Sequence, residues 1–317
     1  MKFIFLIDHL ESLKVYKDSS IAIMREATQR KHEVFVMHQS DLMWREGRVS
    51  ALATRLILTD NDADWYSIQD KTTQPLNAFD AVLVRKDPPF ETEYLYATQL
   101  LDLAQQAGAR VFNAPGALRD FNEKLAIARF PTLIAPTLVS CNADVLRRFA
   151  QEMGDVILKP LDGMGGMQVF RVRPDGLNLN AILETLTQNE TRTIMAQQYI
   201  PAISAGDKRI FMINGEAVPY ALARIPAEGE TRANLAAGGQ GVAQLLSARD
   251  REITDTVGPT LKAAGLLLVG LDVIGDYLTE INVTSPTGFV ELNRETGINF
   301  TAMFMAALEN RVDQTCH

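Results

Sequence analysis

The chain has 317 residues, 47% hydrophobic and 22% charged, with a net charge of −8. The length predicts two or three packed subdomains, the acidic balance argues against general nucleic-acid binding, and no apolar run reaches the roughly 18 residues needed to span a bilayer. Two cysteines, Cys141 and Cys316, give neither a disulfide framework nor a zinc spacing; the histidines (His9, His32, His38, His317) are scattered, and all of this fits a reducing cytoplasm.

Over the first 115 residues strand and helix patterns alternate: KFIFLID (2–8), a helix near 17–31, HEVFVMH (32–38), FDAVLVRK (79–86), a helix near 91–107 and ARVFNAP (109–115). KFIFLID is too short for a signal sequence and meets an acid at Asp8, so it reads as a first strand. Strands spaced by helices predict βαβ units and a parallel sheet. The polar, Trp-containing segment 41–77 interrupts this as hairpin-like sequence at the sheet edge. From about residue 122 the pattern changes. FNEKLAIARF and DVLRRFAQEM have amphipathic helical spacing, and PTLIAPTLVS between them reads as an inter-domain crossing. DVILKP (155–160), QVFRVR (168–173) and TIMAQQYI (193–200) are predicted strands. KRIFMINGEAVPYALARI (208–225) sets Asn214-Gly215 between strand-like runs, the strongest short-range hairpin signal. A Gly/Ala-rich stretch (226–244) precedes a helix, a second hairpin and a last helix near 297–311. The predicted fold class is α/β in the first part, then α+β dominated by antiparallel hairpins.

The second hairpin, within LLLVGLDVIGDYLTEINVTSP (266–286), carries the most chemistry. Side chains alternate along a strand, so Glu280 and Asn282 share one face. A three-residue turn, Gly275 to Tyr277, puts Asp272 opposite Glu280 on that face; a two-residue turn puts it on the far face and breaks the site. Two carboxylates and an amide oxygen suit Mg²⁺, which takes oxygen ligands and shares its shell with phosphates. An edge hairpin with a polar face is the competing reading.

ILKPLDGMGGMQVF (157–170) reads as strand, glycine-rich loop, strand. Gly163, Gly165 and Gly166 permit positive φ and inward N–H groups, a cradle for phosphate oxygens, although neither the Walker ending nor the dinucleotide fingerprint is present. Lys159 closes an apolar strand, where an ammonium needs an anion; Lys124 is a second candidate, against the ordinary reading of a solvated helix lysine. In AQQYIPA (196–202) a strand runs out at Pro201, a place where backbone groups meet an adenine edge, and Asp207 is placed to accept from ribose or to cap a turn. Arg85 precedes the break Asp87-Pro88-Pro89 at a sheet edge, and Arg209, Arg224 and Arg232 are candidates to bind phosphate or carboxylate. Arg232 and Asn234 fall in a long small-residue loop of the kind used as lids. VTSPTG (283–288) offers hydroxyls to a small zwitterion, or caps a strand-to-helix turn.

Taken together, KDSS (17–20), RKDPPF (85–90), LRDFNEKL (118–125), ILKPLDGMGG (157–166), GDKR (206–209), ALARIPAEGETRANLAAGG (221–239) and VGLDVIGDYLTEINVTSPTG (269–288) resemble the ATP-grasp carboxylate–amine ligases, specifically the bacterial glutathione synthetases. The resemblance implies an ATP-grasp fold with an N-terminal parallel-sheet (pre-ATP-grasp) domain. The divisions are 1–121 for the N-terminal domain, 122–200 for the central subdomain with the glycine-rich loop, and 201–317 for the C-terminal subdomain with the metal site. It implies ATP between the last two, with Lys124, Lys159 and the 162–167 loop at the phosphates, Gln198, Tyr199 and Ile200 at adenine, and Asp207 at ribose. Mg²⁺, with Mn²⁺ as an alternative, falls to Asp272, Glu280 and Asn282, and charge stabilisation to Arg209, Arg224 and Arg232. Asp18, Ser20, Arg85, Asn234, Thr284 and Ser285 fall to the substrates. The sequence departs from the family's more acidic stretch after TSPTG, where it runs FVELNRETGINF.

The implied reaction joins γ-glutamylcysteine to glycine, with ATP hydrolysed to ADP and phosphate through an acyl phosphate, in a cytoplasmic homo-oligomer (dimer or tetramer). Two alternatives stand beside it. One is a ligase of the same chemistry acting on other substrates, disfavoured by RKDPP and TSPTG. The other is a nucleotide-binding protein without turnover, disfavoured by the intact Asp272, Glu280, Asn282 and both lysines.

Overall fold

The computed structural model describes residues 1–163, 166–225 and 240–314. The first sheet uses β1 (Lys2–Leu6), β2 (Glu33–Met37), β3 (Leu42–Arg45), β4 (Arg48–Leu58), β5 (Tyr66–Pro75), β6 (Ala81–Val84) and β7 (Val111–Phe112), interleaved with α1 (Ser19–Gln29), α2 (Thr92–Gln106) and, after β7, α3 (Pro115–Asp120). Its strand order is β3-β4-β2-β1-β6-β7, with β5 also paired to β4. β1 runs parallel to β2 and β6, and β6 parallel to β7, whereas β3, β4 and β5 form an antiparallel edge. The parallel centre reads as a continuous apolar run because both of its faces are covered: Phe3 to Leu6 are buried, Phe3 and Phe5 towards one core and Ile4 and Leu6 towards another.

A four-stranded sheet, β10-β9-β11-β8, follows, built from β8 (Thr137–Ser140), β9 (Val156–Pro160), β10 (Phe170–Val172) and β11 (Ile194–Gln198), with α4 (Ala143–Met153) and α5 (Leu179–Thr187) over one face. It encloses its own core of Leu146, Ala150, Leu158, Leu183, Leu186, Ile194 and Ala196. The third sheet, β14-β13-β12-β15-β16, uses β12 (Asp207–Ile213), β13 (Glu216–Ile225), β14 (Gln240–Leu245), β15 (Leu268–Ile274) and β16 (Tyr277–Asn282), with α6 (Ala248–Ala263) packed against β13, then α7 (Phe289–Thr296) and α8 (Phe300–Gln314). It shares both larger cores with the first sheet. Asn113 ties the two together. Its buried amide accepts from Leu267 N (2.7 Å) and Leu268 N (3.0 Å) and donates to Leu268 O (2.8 Å) and Val283 O (2.7 Å). Helix α8 returns to α1, where Glu309 meets both Arg30 and His32. Among the described residues, no helix is long and apolar enough to cross a membrane.

The alternation of the first 115 residues, the 41–77 edge and the Asn214-Gly215 turn match expectation; two segments do not. FNEKLAIARF is no amphipathic α-helix but a short 3₁₀ turn, Leu125–Arg129. The reason is tertiary: Glu123 O and Leu133 O accept from Ile281 N and Leu278 N, so β16 holds this stretch against its own flank. PTLIAPTLVS is only half a crossing, since its end is β8, paired to β11. Helices α5 and α7 lie in stretches to which the sequence reading assigned no element; α7 starts at the TSPTG turn, where Ser19 Oγ accepts from Gly288 N and Phe289 N.

Candidate active site

The hairpin of β15 and β16 corrects the predicted turn. Ile274 pairs with Tyr277, so the turn has two residues, Gly275 and Asp276. A β-bulge then shifts the register: Val273 faces Leu278, but Asp272 faces Glu280. The residue passed over, Thr279, is buried and donates its hydroxyl to Asp272 O at 3.0 Å. The bulge adds the one residue that the tight turn omits, so Asp272 and Glu280 stand side by side after all, two positions from the facing pair Gly270 and Asn282.

The same sheet aligns two arginines with two aspartates. Register places Arg209 opposite Asp272, and Asp207 opposite Arg224. Arg209 Nε and Nη2 donate to the Asp272 carboxylate at 2.5 and 2.8 Å, while Arg224 binds both oxygens of Asp207 at 2.5 and 2.7 Å and reaches Asp272 Oδ2 at 2.8 Å. Gly270 makes room: a Cβ there would lie 2.8 Å from Arg209 Cδ and 2.9 Å from Pro286 Cβ. Burial works to raise the Asp272 carboxyl, but the two guanidinium groups outweigh it and hold it well below the usual carboxylate range. Burial would lower Arg224, and Asp272 with Asp207 more than reverses that.

Facing this network are two buried lysines. Lys124 Nζ donates to Gly163 O (2.5 Å), bonds Glu123, and lies 3.6 Å from Glu280. Burial opposes its charge, but Glu280 and Glu123 outweigh burial and raise it. Lys159, at the end of β9, has no hydrogen-bond or ion-pair partner among the described residues, and burial is the main cause that lowers it. Glu123 itself is pushed up to about 6, first by burial and next by the charge of Glu280. The glycine loop runs from β9 to β10, whose strands pair antiparallel, and Gly166 sits at φ +77°.

A cavity of about 670 Å³ joins these groups. Of the predicted residues, Lys124, Lys159, Gly163, Gly166, Gln198, Tyr199, Ile200, Asp207, Arg209, Arg224, Asp272, Glu280, Asn282, Asp18, Thr284 and Ser285 line it. Arg85 and Ser20 do not; they stand behind the wall, where Arg85 donates to Ser20 Oγ and Pro286 O, both at 3.0 Å. Gly165, Arg232 and Asn234 lie outside the described residues. Along the 198–200 segment, the N–H groups of Gln198 and Tyr199 are already used by Pro136 O and Asp155 O, and that of Ile200 has no partner among the described residues. Asp207 accepts from Arg224 with both carboxylate oxygens, one bond to each.

Sequence reasoning missed Glu123, Arg171 and Glu291, all on the cavity wall. Arg171 lies 3.5 Å from the Tyr199 ring centre and is fixed bidentately by Asp155. A charged residue beside Lys124 was visible in LRDFNEKL, but only the pinning of 123–133 to β16 turns it inward.

The hairpin fits a hard divalent cation. Asn282 Nδ2 donates to Gly270 O at 3.2 Å, which leaves its carbonyl oxygen for a ligand. Glu280 is half-buried on the same wall, and Asp272 has three of its roughly four lone-pair sites occupied by arginine. No group of three or more His, Cys, Asp or Glu among the described residues forms a metal site unaided. A cation that completes its shell with phosphate oxygens suits such a set.

The fold recurs in solved structures. D-cycloserine synthetase DcsG superposes with a TM-score of 0.69 over 98% of this chain and 99% of its own, at 15% identity. The ATP-grasp ligase PsnB, solved with its precursor peptide and AMPPNP, gives 0.63 over 98% of each chain, at 17% identity. Together the three sheets give the chain an ATP-grasp fold. Residues 1–119 match the N-terminal domain of prokaryotic glutathione synthetase, and residues 123–297 match its ATP-grasp domain. Glutathione synthetase of Ralstonia nicotianae is 57% identical over 98% of this chain and 95% of its own, and that of Neisseria meningitidis serogroup A is 54% identical over 97% and 98%. The chain belongs to the prokaryotic glutathione synthetase family.

Proposed function

We propose that the chain joins γ-glutamylcysteine to glycine at the expense of ATP, with the chemistry centred on the β15–β16 hairpin. The cysteinyl carboxylate attacks the γ-phosphorus and ADP leaves. Glycine's amine then attacks the acyl carbon of the resulting acyl phosphate, loses a proton, and expels phosphate. The observation that carries this reading is Lys159: a buried, unpartnered cation facing Lys124 and three carboxylates across one cavity. A polyphosphate gives Lys159 the anion that its burial calls for.

Lys124 and Lys159 orient the β- and γ-phosphoryl groups, with Gly163 and Gly166 in the covering loop. Ile200 N–H meets the adenine edge, and Asp207, although held by Arg224, keeps lone pairs for ribose. Arg209 and Arg224, fixed in place by Asp272, present N–H groups to charge that builds on the transferred phosphoryl and the acyl oxygen. Asp272, Glu280 and Asn282 would hold Mg²⁺, or Mn²⁺ in its place, which supplies positive charge against the phosphoryl oxygens. Asp18, Thr284 and Ser285 face the dipeptide, and Arg85 with Ser20 supports that wall. The sheets support a division into 1–121, 122–200 and 201–317, and cysteine usage supports a cytoplasmic setting; a homo-oligomer, dimer or tetramer, is proposed from the family.

The test is phosphate release from Mg-ATP with γ-glutamylcysteine, with and without glycine, and mass detection of the product. Glycine-dependent release with a product of glutathione mass supports the proposal. Release without that product would point to other substrates, and binding without release to a nucleotide-binding protein that does not turn over.

A further inference from the structure

The glycine-rich loop leaves the central sheet at Pro160, whose ladder partner is Ile194. The next three residues are each held by a side chain from elsewhere. Asn122 Nδ2 donates to Leu161 O at 3.0 Å, Arg192 pairs with the Asp162 carboxylate, and Lys124 Nζ donates to Gly163 O at 2.5 Å. Two of these three ties come from the 122–124 turn, which lies outside every sheet. That turn is itself anchored to the third sheet, because Glu123 O accepts from Ile281 N at 2.8 Å, between Glu280 and Asn282. A few residues thus bridge the carboxylate hairpin and the root of the glycine-rich loop.

Asn122 makes its part of the bridge with both ends of one amide. Its Oδ1 accepts from Lys124 N (3.1 Å) and Leu125 N (2.9 Å), which fixes the backbone that carries Lys124, while its Nδ2 takes Leu161 O. An amide supplies donor and acceptor at separate atoms, which neither a carboxylate nor a methyl group does. A nucleotide acts differently on the two ties. On the phosphate-site reading, which this inference rests on, phosphate oxygens compete with Gly163 O for the Lys124 ammonium, and a charge-assisted bond to an anion outweighs one to a carbonyl. The neutral Asn122 amide is not drawn off in this way and keeps Leu161 O. We propose that Asn122 is a positioning residue for nucleotide binding: it holds the root of the loop against the turn once Lys124 has gone to phosphate. The loop's N–H groups then meet the same phosphates that Lys124 binds. Asn122 is not on the cavity wall, so it acts through Lys124 and the loop rather than by touching a substrate.

The experiment compares wild type, Asn122→Asp and Asn122→Ala. Asn122→Asp keeps an oxygen for Lys124 N and Leu125 N and loses the donor to Leu161 O; Asn122→Ala loses all three bonds and adds no charge. The readouts are Kd for Mg-AMPPNP by titration calorimetry, KM for each substrate by phosphate release, and the melting midpoint without ligand. Both variants are expected to weaken Mg-AMPPNP and to raise KM for ATP by about fivefold, as befits one neutral hydrogen bond, with KM for γ-glutamylcysteine within about twofold of wild type. Asn122→Asp is expected to melt closer to wild type than Asn122→Ala, which also loses the cap, yet to bind nucleotide no better. A role in folding alone would lower the folded fraction and leave every KM as it was. Wild-type Kd for Mg-AMPPNP in either variant overturns the proposal, as does a rise in KM shared equally by γ-glutamylcysteine. A wild type that binds Mg-AMPPNP but releases no phosphate overturns the ligation reading instead, and the Kd comparison still decides the role of Asn122. A wild type that does not bind Mg-AMPPNP overturns both.

Discussion

Asp272 and Glu280 stand side by side on the hairpin, yet their substitution should have opposite consequences for the fold. Asp272 is 3% exposed and compensates two buried guanidinium groups. In Asp272→Asn, Arg224 keeps Asp207, but Arg209 is left with Thr287 O at 3.4 Å. Removing one member of a buried ion pair costs about 3–5 kcal/mol, because the other charge stays buried. Taking the lower figure, and about 2–4 °C per kcal/mol for a large domain, the melting midpoint should fall by roughly 6–12 °C. Adding Arg209→Met should cost less than the sum of the single changes, since the uncompensated charge goes with it. Glu280 is half-buried, and its nearest cation, Lys124, lies at 3.6 Å and keeps its bond to Glu123 when the Glu280 charge is removed, so the loss is about 1 kcal/mol. Glu280→Gln should therefore melt within about 4 °C of wild type while ligation is abolished. The assays are a thermal melt without nucleotide and glycine-dependent phosphate release. An Asp272→Asn protein that melts like wild type would refute the electrostatic account of the network; near wild-type turnover by Glu280→Gln would sink the metal assignment.

Three further outcomes follow from the geometry. Gly270→Ala should lose about 1–3 kcal/mol in denaturant unfolding and much of its turnover, because the new Cβ meets Arg209 Cδ at 2.8 Å and Pro286 Cβ at 2.9 Å and displaces both; unchanged stability would mean that the 284–287 turn yields freely. Asn113→Ala should lose about 3 kcal/mol or more, since two N–H and two C=O groups between the first and third sheets lose their partner, as urea titration would show. Glu123 is a carboxyl raised from 4.5 to about 6, so the folded state binds more protons than the unfolded one between those values, and stability falls as pH rises through that window. The shift corresponds to about 2 kcal/mol, and Glu123→Gln should flatten that part of the stability–pH profile; an unaltered slope would locate the proton elsewhere.

How much of this was legible in the sequence depends on the range of the interaction. The parallel sheet was readable because β1, β2 and β6 are apolar on both faces, a property of composition alone. That Glu280 and Asn282 share one face was readable because they are two apart on one strand, and alternation is local. The turn was not. Counting residues from Gly275 gives either a three-residue loop or a broken site, and the chain adopts neither: it makes the tight turn and restores the register with a bulge at Thr279. That choice depends on burying Thr279 and bonding its hydroxyl to Asp272 O, contacts that no spacing rule encodes. The same holds for Glu123, Lys124 and the stretch read as an amphipathic helix. Its periodicity was helical, but Glu123 O and Leu133 O accept from β16, and the stretch held there forms only a short 3₁₀ turn. Giving up that helix turns Glu123 and Lys124 into the cavity beside Glu280. Local propensity therefore fails where the site is built, and a mismatch between helical spacing and a strand-bound backbone marks where this chain concentrates its charge.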